Sequence, residues 1–161
     1  MAELKGRHAA GAEVWCWTHE VKNPPAACVR EGRVDLESPE LARHLHEKYA
    51  RLSRELLPGL KGLVLTFNET QYVVYSAPDP AAARGAVEKL ARLMCEVCAR
   101  NGLRLAIRDF VYRRSEMDLM LEAIRALDDS VIVMSKAVPH DWHPYYPDNP
   151  ALGQVGGKEQ W

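Results

Sequence analysis

Several things are scarce in this 161-residue chain, and each scarcity removes a class of protein. No apolar run approaches the roughly 20 residues that span a bilayer, so no helical membrane segment is expected. The opening "MAELKGRHAAGAEVW" is polar and carries no signal-peptide core. Charge of either sign is nearly balanced, at a net −1, so the broad basic footprint of a nucleic-acid or anionic-membrane binder is missing. No glycine-rich loop follows a strand-like run, and Gly156-Gly157 falls in a loop instead, which removes the phosphate-cradling modules. The four cysteines do not form a disulfide framework: Cys16 lies in a strand-like run, Cys28 after a Pro-Pro turn, and Cys95 and Cys98 in a helical pattern. A second C-x-x-C is absent, so Cys95 and Cys98 read as helix residues, with redox or zinc use the lesser alternative.

What is present is ordinary for one globular domain, with 47% apolar and 27% charged residues. Strand-like and helix-like segments alternate along it. Strands are expected near 13–18, 62–67, 104–110 and 131–136. Between them lie "SPELARHLHEKYARLSRELLPG", with Ser38 as N-cap and Leu41, Leu45, Tyr49, Leu52 and Leu56 at helical spacing, and "DPAAARGAVEKLARLMCEVCARNG", closed by Asn101-Gly102. A third helix is expected in "SEMDLMLEAIRALDD", with Ser115 and Asp118 in a capping-box arrangement. The strands are short continuous apolar runs, the mark of strands covered on both faces in a parallel sheet with crossover helices. The expected class is therefore α/β. A complete (β/α)8 barrel needs about 250 residues, and about four βα units are present here, so the chain reads as a single partial TIM-type barrel domain, with a smaller open α/β sheet as the alternative. "GQVGGKEQW" looks like the approach to a further strand.

Each strand runs out into polar chemistry. The exits are His19-Glu20, Asn68-Glu69, Arg108-Asp109 with Tyr112, and Lys136 with His140-Asp141. The carboxyl ends of parallel strands are where the sites of such folds lie.

The order of these segments from about Val34 to Trp161 resembles the catalytic barrel of xylan-directed α-glucuronidases. "LVLTFNET" is similar to that family's acid-bearing strand, "LRLAIRDFVY" to its Trp-Arg-Ala-Phe-Val-Tyr strand, and "SKAVPHDWHPYYPDNPALG" to its strand ending in Lys-Asn-Gly-Pro, one residue, then Asp. The resemblance implies a glycoside hydrolase with a carbohydrate substrate and no cofactor. It implies Glu69 as general acid, Asp141 as one of two carboxylates that position the water, and Arg108 and Lys136 around a sugar carboxylate. The second water-positioning carboxylate would fall beyond Trp161. There are departures: the family's Lys four residues before the acid is Leu65 here, and its Gly-Gln-Pro-Gly-Pro is replaced by "TQYVVY". The lost cation weighs against a uronic acid and favours the broader glycoside hydrolase barrel.

The residues themselves leave alternatives open. A general acid needs a carboxyl kept protonated by apolar surroundings, and Phe67 and Tyr72 flank Glu69 as candidate walls. Otherwise Glu69 only ends a strand. His140 and His143 bracket Asp141 at a spacing that also suits a metal, though no third ligand has defined spacing. Trp142, Tyr145 and Tyr146 are candidate sugar platforms or loop packing. Arg108 either pairs with Asp109 or another carboxylate or binds an anion, and Lys136 has the same two readings. His19 and Glu20 can orient substrate hydroxyls or merely end a strand. Trp15 and Trp17 read as core or helix packing, with sugar platforms the lesser alternative. The rival to an enzyme is a non-catalytic barrel fragment or carbohydrate-binding remnant, and open barrel edges predict self-association.

Overall fold

The computed structural model describes residues 11–136 and 149–161. Four strands, β1 (Val14–His19), β4 (Leu60–Thr66), β5 (Arg104–Arg108) and β6 (Ile132–Met134), form one sheet in the order β1-β4-β5-β6. Every neighbour is parallel, so the expected α/β class and strand direction hold. Parallel neighbours need long crossovers, and three helices supply them: α1 (Pro39–Arg51), α2 (Pro80–Arg100) and α3 (Arg114–Arg125). No helix among the described residues is long and apolar enough to cross a membrane.

Local chemistry explains most of the boundaries. Ser38 caps α1 by accepting from Leu41 N, with Pro39 in the first turn. Asp79 caps α2 by accepting from Ala81 N and Ala82 N at 3.3 and 3.1 Å. At its end Gly102, at φ 65°, lets Leu103 N reach back to Cys98 O at 2.9 Å.

Three expectations need correcting. The apolar face of α1 does not extend to Leu56, which is 48% exposed. Leu52–Leu56 winds as a π-helical turn, and its wider pitch rotates Leu56 off the buried stripe of Leu41, Leu45 and Tyr49. The cap of α3 is not built by Ser115 and Asp118. Arg113 is the N-cap residue, and Glu116 accepts from the backbone N–H groups of Tyr112 and Arg113 at 3.1 and 3.0 Å. A small antiparallel hairpin, β2 (Val29–Arg30) and β3 (Arg33–Val34), also escaped the sequence reading. Its turn residues Glu31 and Gly32 both have positive φ, at 50° and 73°, the twist a two-residue hairpin requires.

The core lies between sheet and helices. Leu63, Leu65, Ile107 and Val133 meet Leu41, Leu45, Val87, Leu90, Met94, Met120 and Ile124 there. The opposite face carries Trp15, Val64, Ala106, Ile132 and Met134. Residues 159–161 extend the sheet beyond β6: Val133 N donates to Glu159 O at 2.9 Å, and Trp161 N donates to Val133 O at 2.8 Å. That bridge is parallel, so the tail does continue the sheet as expected.

The helix-free face is concave. In a flat sheet four strand spacings, about 19 Å, would separate β1 from residues 159–161. Yet the rings of Trp15 and Trp161 meet edge to face with centroids 4.8 Å apart. Only a strongly curled sheet brings them together. The Trp15 ring lies across Gly62, where a Cβ would stand 2.3 Å from it. Arg104 flanks the same ring at 6.0 Å and bonds Glu159 at 2.7 Å. These groups fill the amino end of the trough and leave its carboxyl end to the strand exits.

Candidate functional site

Alternation along the strands decides which exit residues face the trough. On β1, Trp15, Trp17 and His19 share the helix-free face, while Cys16 and Thr18 turn towards the helices. Glu20 follows the second set. It is fully buried, and its carboxylate accepts from the Tyr49 hydroxyl, the Lys48 ammonium, Thr18 Oγ1 at 3.2 Å and Lys22 N at 3.1 Å. Burial, with the Glu20 charge beside it, pushes the Tyr49 hydroxyl's pKa far up, so that hydroxyl stays a donor. Glu20 thus ties β1 to α1 and does not share the trough with the other exit residues.

His19 does share it. Its Nδ1 lies 2.9 Å from Asn68 O and 3.9 Å from Glu69 Oε2. Glu69 holds a left-handed backbone, φ 56°, which costs a residue with a Cβ roughly 1–3 kcal/mol. The residues on either side hold the bend in place. Asn68, almost fully buried, donates Nδ2 to Phe110 O at 2.6 Å, and Thr70 Oγ1 donates to Val21 O at 2.8 Å. The bend delivers the Glu69 carboxylate to the sheet's open end with 60% of its side chain exposed. The apolar enclosure expected from Phe67 is not there, because Phe67 belongs to the helix-side core.

Arg108 makes no ion pair with Asp109. The two alternate across β5, so they face opposite sides. The Arg108 guanidinium lies between the rings of Trp17 and Phe110, at 4.9 and 4.8 Å. Lys136 approaches the far ring, with Nζ 4.3 Å from the Phe110 centroid. Trp17 is fixed by its Nε1 donating to Thr66 Oγ1 at 2.6 Å, yet remains 46% exposed. Tyr112 stacks edge to face on Phe110 at 5.2 Å and is 60% exposed. Two cations and three aromatic rings therefore line one side of the opening, with His19 and Glu69 as further neighbours of the sheet end. Such an array can stack a flat or apolar ligand face on its rings and hold an acidic group with its cations.

Asp109 occupies the other side of β5. It is 1% exposed and accepts from Ser135 Oγ at 2.6 Å, and Ser135 in turn accepts from Gln160 Nε2 at 2.7 Å. Its Oδ1 has no hydrogen-bond partner among the described residues. Burial raises its pKa, partly offset by the Ser135 hydrogen bond and the Arg108 charge.

Phe110 was not expected in the site, and Trp17, expected mainly in the core, is half exposed beside it. The signal was available in the parity of β1 and β5, once it is known which face the helices leave uncovered. His140, Asp141 and Trp142, with the H-x-x-H pair, lie outside the described residues. Among the described residues no group of three or more His, Cys, Asp or Glu is placed to hold a metal ion. All four cysteines are free thiols, and burial, with Cys95 close by, pushes Cys98 up to about 12.

The fold and these exits define an α/β protein with a parallel sheet and a polar carboxyl-end opening. No protein-family model matches the chain, and no curated protein matches it.

Proposed function

We propose that the chain forms part of a (β/α)8-type barrel of glycoside hydrolase kind, acting on a plant polysaccharide or oligosaccharide. The observation that carries this reading is the convergence, at one end of a curled parallel sheet, of a strained, exposed Glu69 with aromatic-flanked cations. The curl supports a barrel, since strands in sequence order with helices outside and Trp15 and Trp161 meeting inside match that architecture. Glu69 donates its proton to the glycosidic oxygen as the bond to the anomeric carbon breaks. Asp141, with a second carboxylate, orients a water that attacks the opposite face of that carbon and takes the proton the water loses. Arg108 and Lys136 hold an acidic group of the sugar, supplying the charge that Leu65 does not. His19 steadies the Glu69 carboxylate in the ionised state that follows proton transfer.

A second reading is a carbohydrate-binding trough without hydrolysis. The open surroundings of Glu69 favour it, since burial is the usual means of keeping a carboxyl protonated. Incubation with uronic-acid-substituted xylo-oligosaccharides, with free uronic acid measured by chromatography, separates the two. The enzyme reading expects release, and a loss of about 10²–10⁴-fold in Glu69→Gln with calorimetric binding retained. Binding without release supports the second reading. Neither binding nor release overturns both.

A further inference from the structure

Outside the trough, a cleft of about 1000 Å3 opens between the β4–α2 and β5–α3 connections. Glu69, Tyr75, Tyr112 and Glu116 are among its lining residues, with Tyr112 exposed and Tyr75 buried. We propose that this cleft binds an uncharged oligosaccharide segment, with Tyr112 as its stacking face and the Tyr75 hydroxyl as its buried hydrogen-bonding group. The ligand class rests on the saccharide reading above, while the existence of the site does not.

Tyr75 is the reason to see a site here. The residue is 9% exposed, and its hydroxyl makes no hydrogen bond to the described residues. A hydroxyl without a protein partner that opens on a cleft can exchange its water for a ligand hydroxyl. The oxygen is not among the fully enclosed unpartnered atoms, so it opens on the cleft it lines. Burial, with Glu116 and Tyr112 nearby, pushes its pKa up, so it stays a neutral donor and acceptor.

The charge of the walls selects the ligand. Acidic side chains outnumber basic ones four to two in the lining, and Arg84 is already paired with Glu122 at 3.2 Å and Glu88 at 3.7 Å. An anion is disfavoured, whereas carboxylates accept readily from sugar hydroxyls. The exposed Tyr112 ring adds an apolar face of the kind that stacks on a pyranose. Glu69 lines the cleft and lies 3.9 Å from His19, so a chain in the cleft would reach the proposed proton donor.

Titration calorimetry with cellotriose, xylotriose and maltotriose tests this. At least one trisaccharide should bind. Tyr75→Phe, which keeps the packed ring, and Tyr112→Ala, at an exposed position, should each weaken binding about threefold to tenfold. Arg43→Ala, at an exposed position on α1 outside both the trough and the cleft, should leave trisaccharide affinity unchanged. No binding by any of the three, or unchanged affinity in both tyrosine variants with wild-type melting, overturns the cleft site. Uronic acid release is a separate readout, so failure of the hydrolase reading and failure of the cleft are told apart.

Discussion

At Gly62 a single missing methyl group permits the packing of the trough. A Cβ there would lie 2.3 Å from the Trp15 ring and 2.5 Å from the carbonyl oxygen of Arg104. Gly62→Ala should therefore destabilise the protein by roughly 1–3 kcal/mol, read from the urea midpoint. Adding Trp15→Ala should rescue only part of the loss, because the backbone contact with Arg104 persists. Asp109 offers a test of opposite sign. Its raised pKa means the folded protein holds that proton more tightly than the unfolded chain does. Stability contributed by this group is complete below the ordinary aspartate value and is lost as pH rises through the raised one. Asp109→Asn keeps the shape and a hydrogen-bonding group for Ser135 while removing the charge. It should match wild type in acid and exceed it at pH 7, measured by urea unfolding at both. A variant that matches wild type in acid but is less stable at pH 7 would show that the carboxylate is needed as an anion.

The elements differ in how far the sequence reveals them. The four parallel strands were legible because both of their faces are buried, so each stands out as a continuous apolar run. Their ends were less so: β5 stops at Arg108 and β6 at Met134, each two residues short of the expected end, where Asp109 and Ser135-Lys136 follow. The hairpin of β2 and β3 was invisible, since two-residue strands have no period and only Glu31-Gly32 marks the turn. In α1 the repeat Leu41, Leu45, Tyr49, Leu52, Leu56 looked uniform, and nothing local announces the π-helical turn. Among the exit residues, position was legible and facing was not: Glu20 and Asp109 needed the strand parity and the covered face together. The α1 correction yields a direct comparison. Leu45→Ala removes a fully buried side chain and should cost about 2–5 kcal/mol. Leu56→Ala should stay within about 0.5 kcal/mol, because that side chain is half exposed. Equal losses in thermal melts would place Leu56 back on the buried stripe.

At the scale of the molecule, the sheet ends in two strands without an outer neighbour among the described residues: β1 on one side and residues 159–161 on the other. Proteins commonly guard such edges with lysine, proline or a bulge inside the strand. The sequence of β1, "VWCWTH", contains neither lysine nor proline, and its one register shift lies at its start, between Val14 and Trp15. The trough beside it leaves Trp17 and Trp161 exposed by 46% and 40%. A second curled sheet could cover both features at once. A two-fold axis along the trough would set β1 of one copy beside residues 159–161 of the other, with strand direction preserved and the exposed tryptophans enclosed. The 161-residue chain should therefore associate as its concentration rises, and sedimentation velocity over a wide concentration range would show the shift. Tryptophan emission should move to shorter wavelength with it, because Trp17 and Trp161 leave water. A monomer at every concentration, melting cooperatively, would mean that the edges and the trough are protected in the chain as it stands.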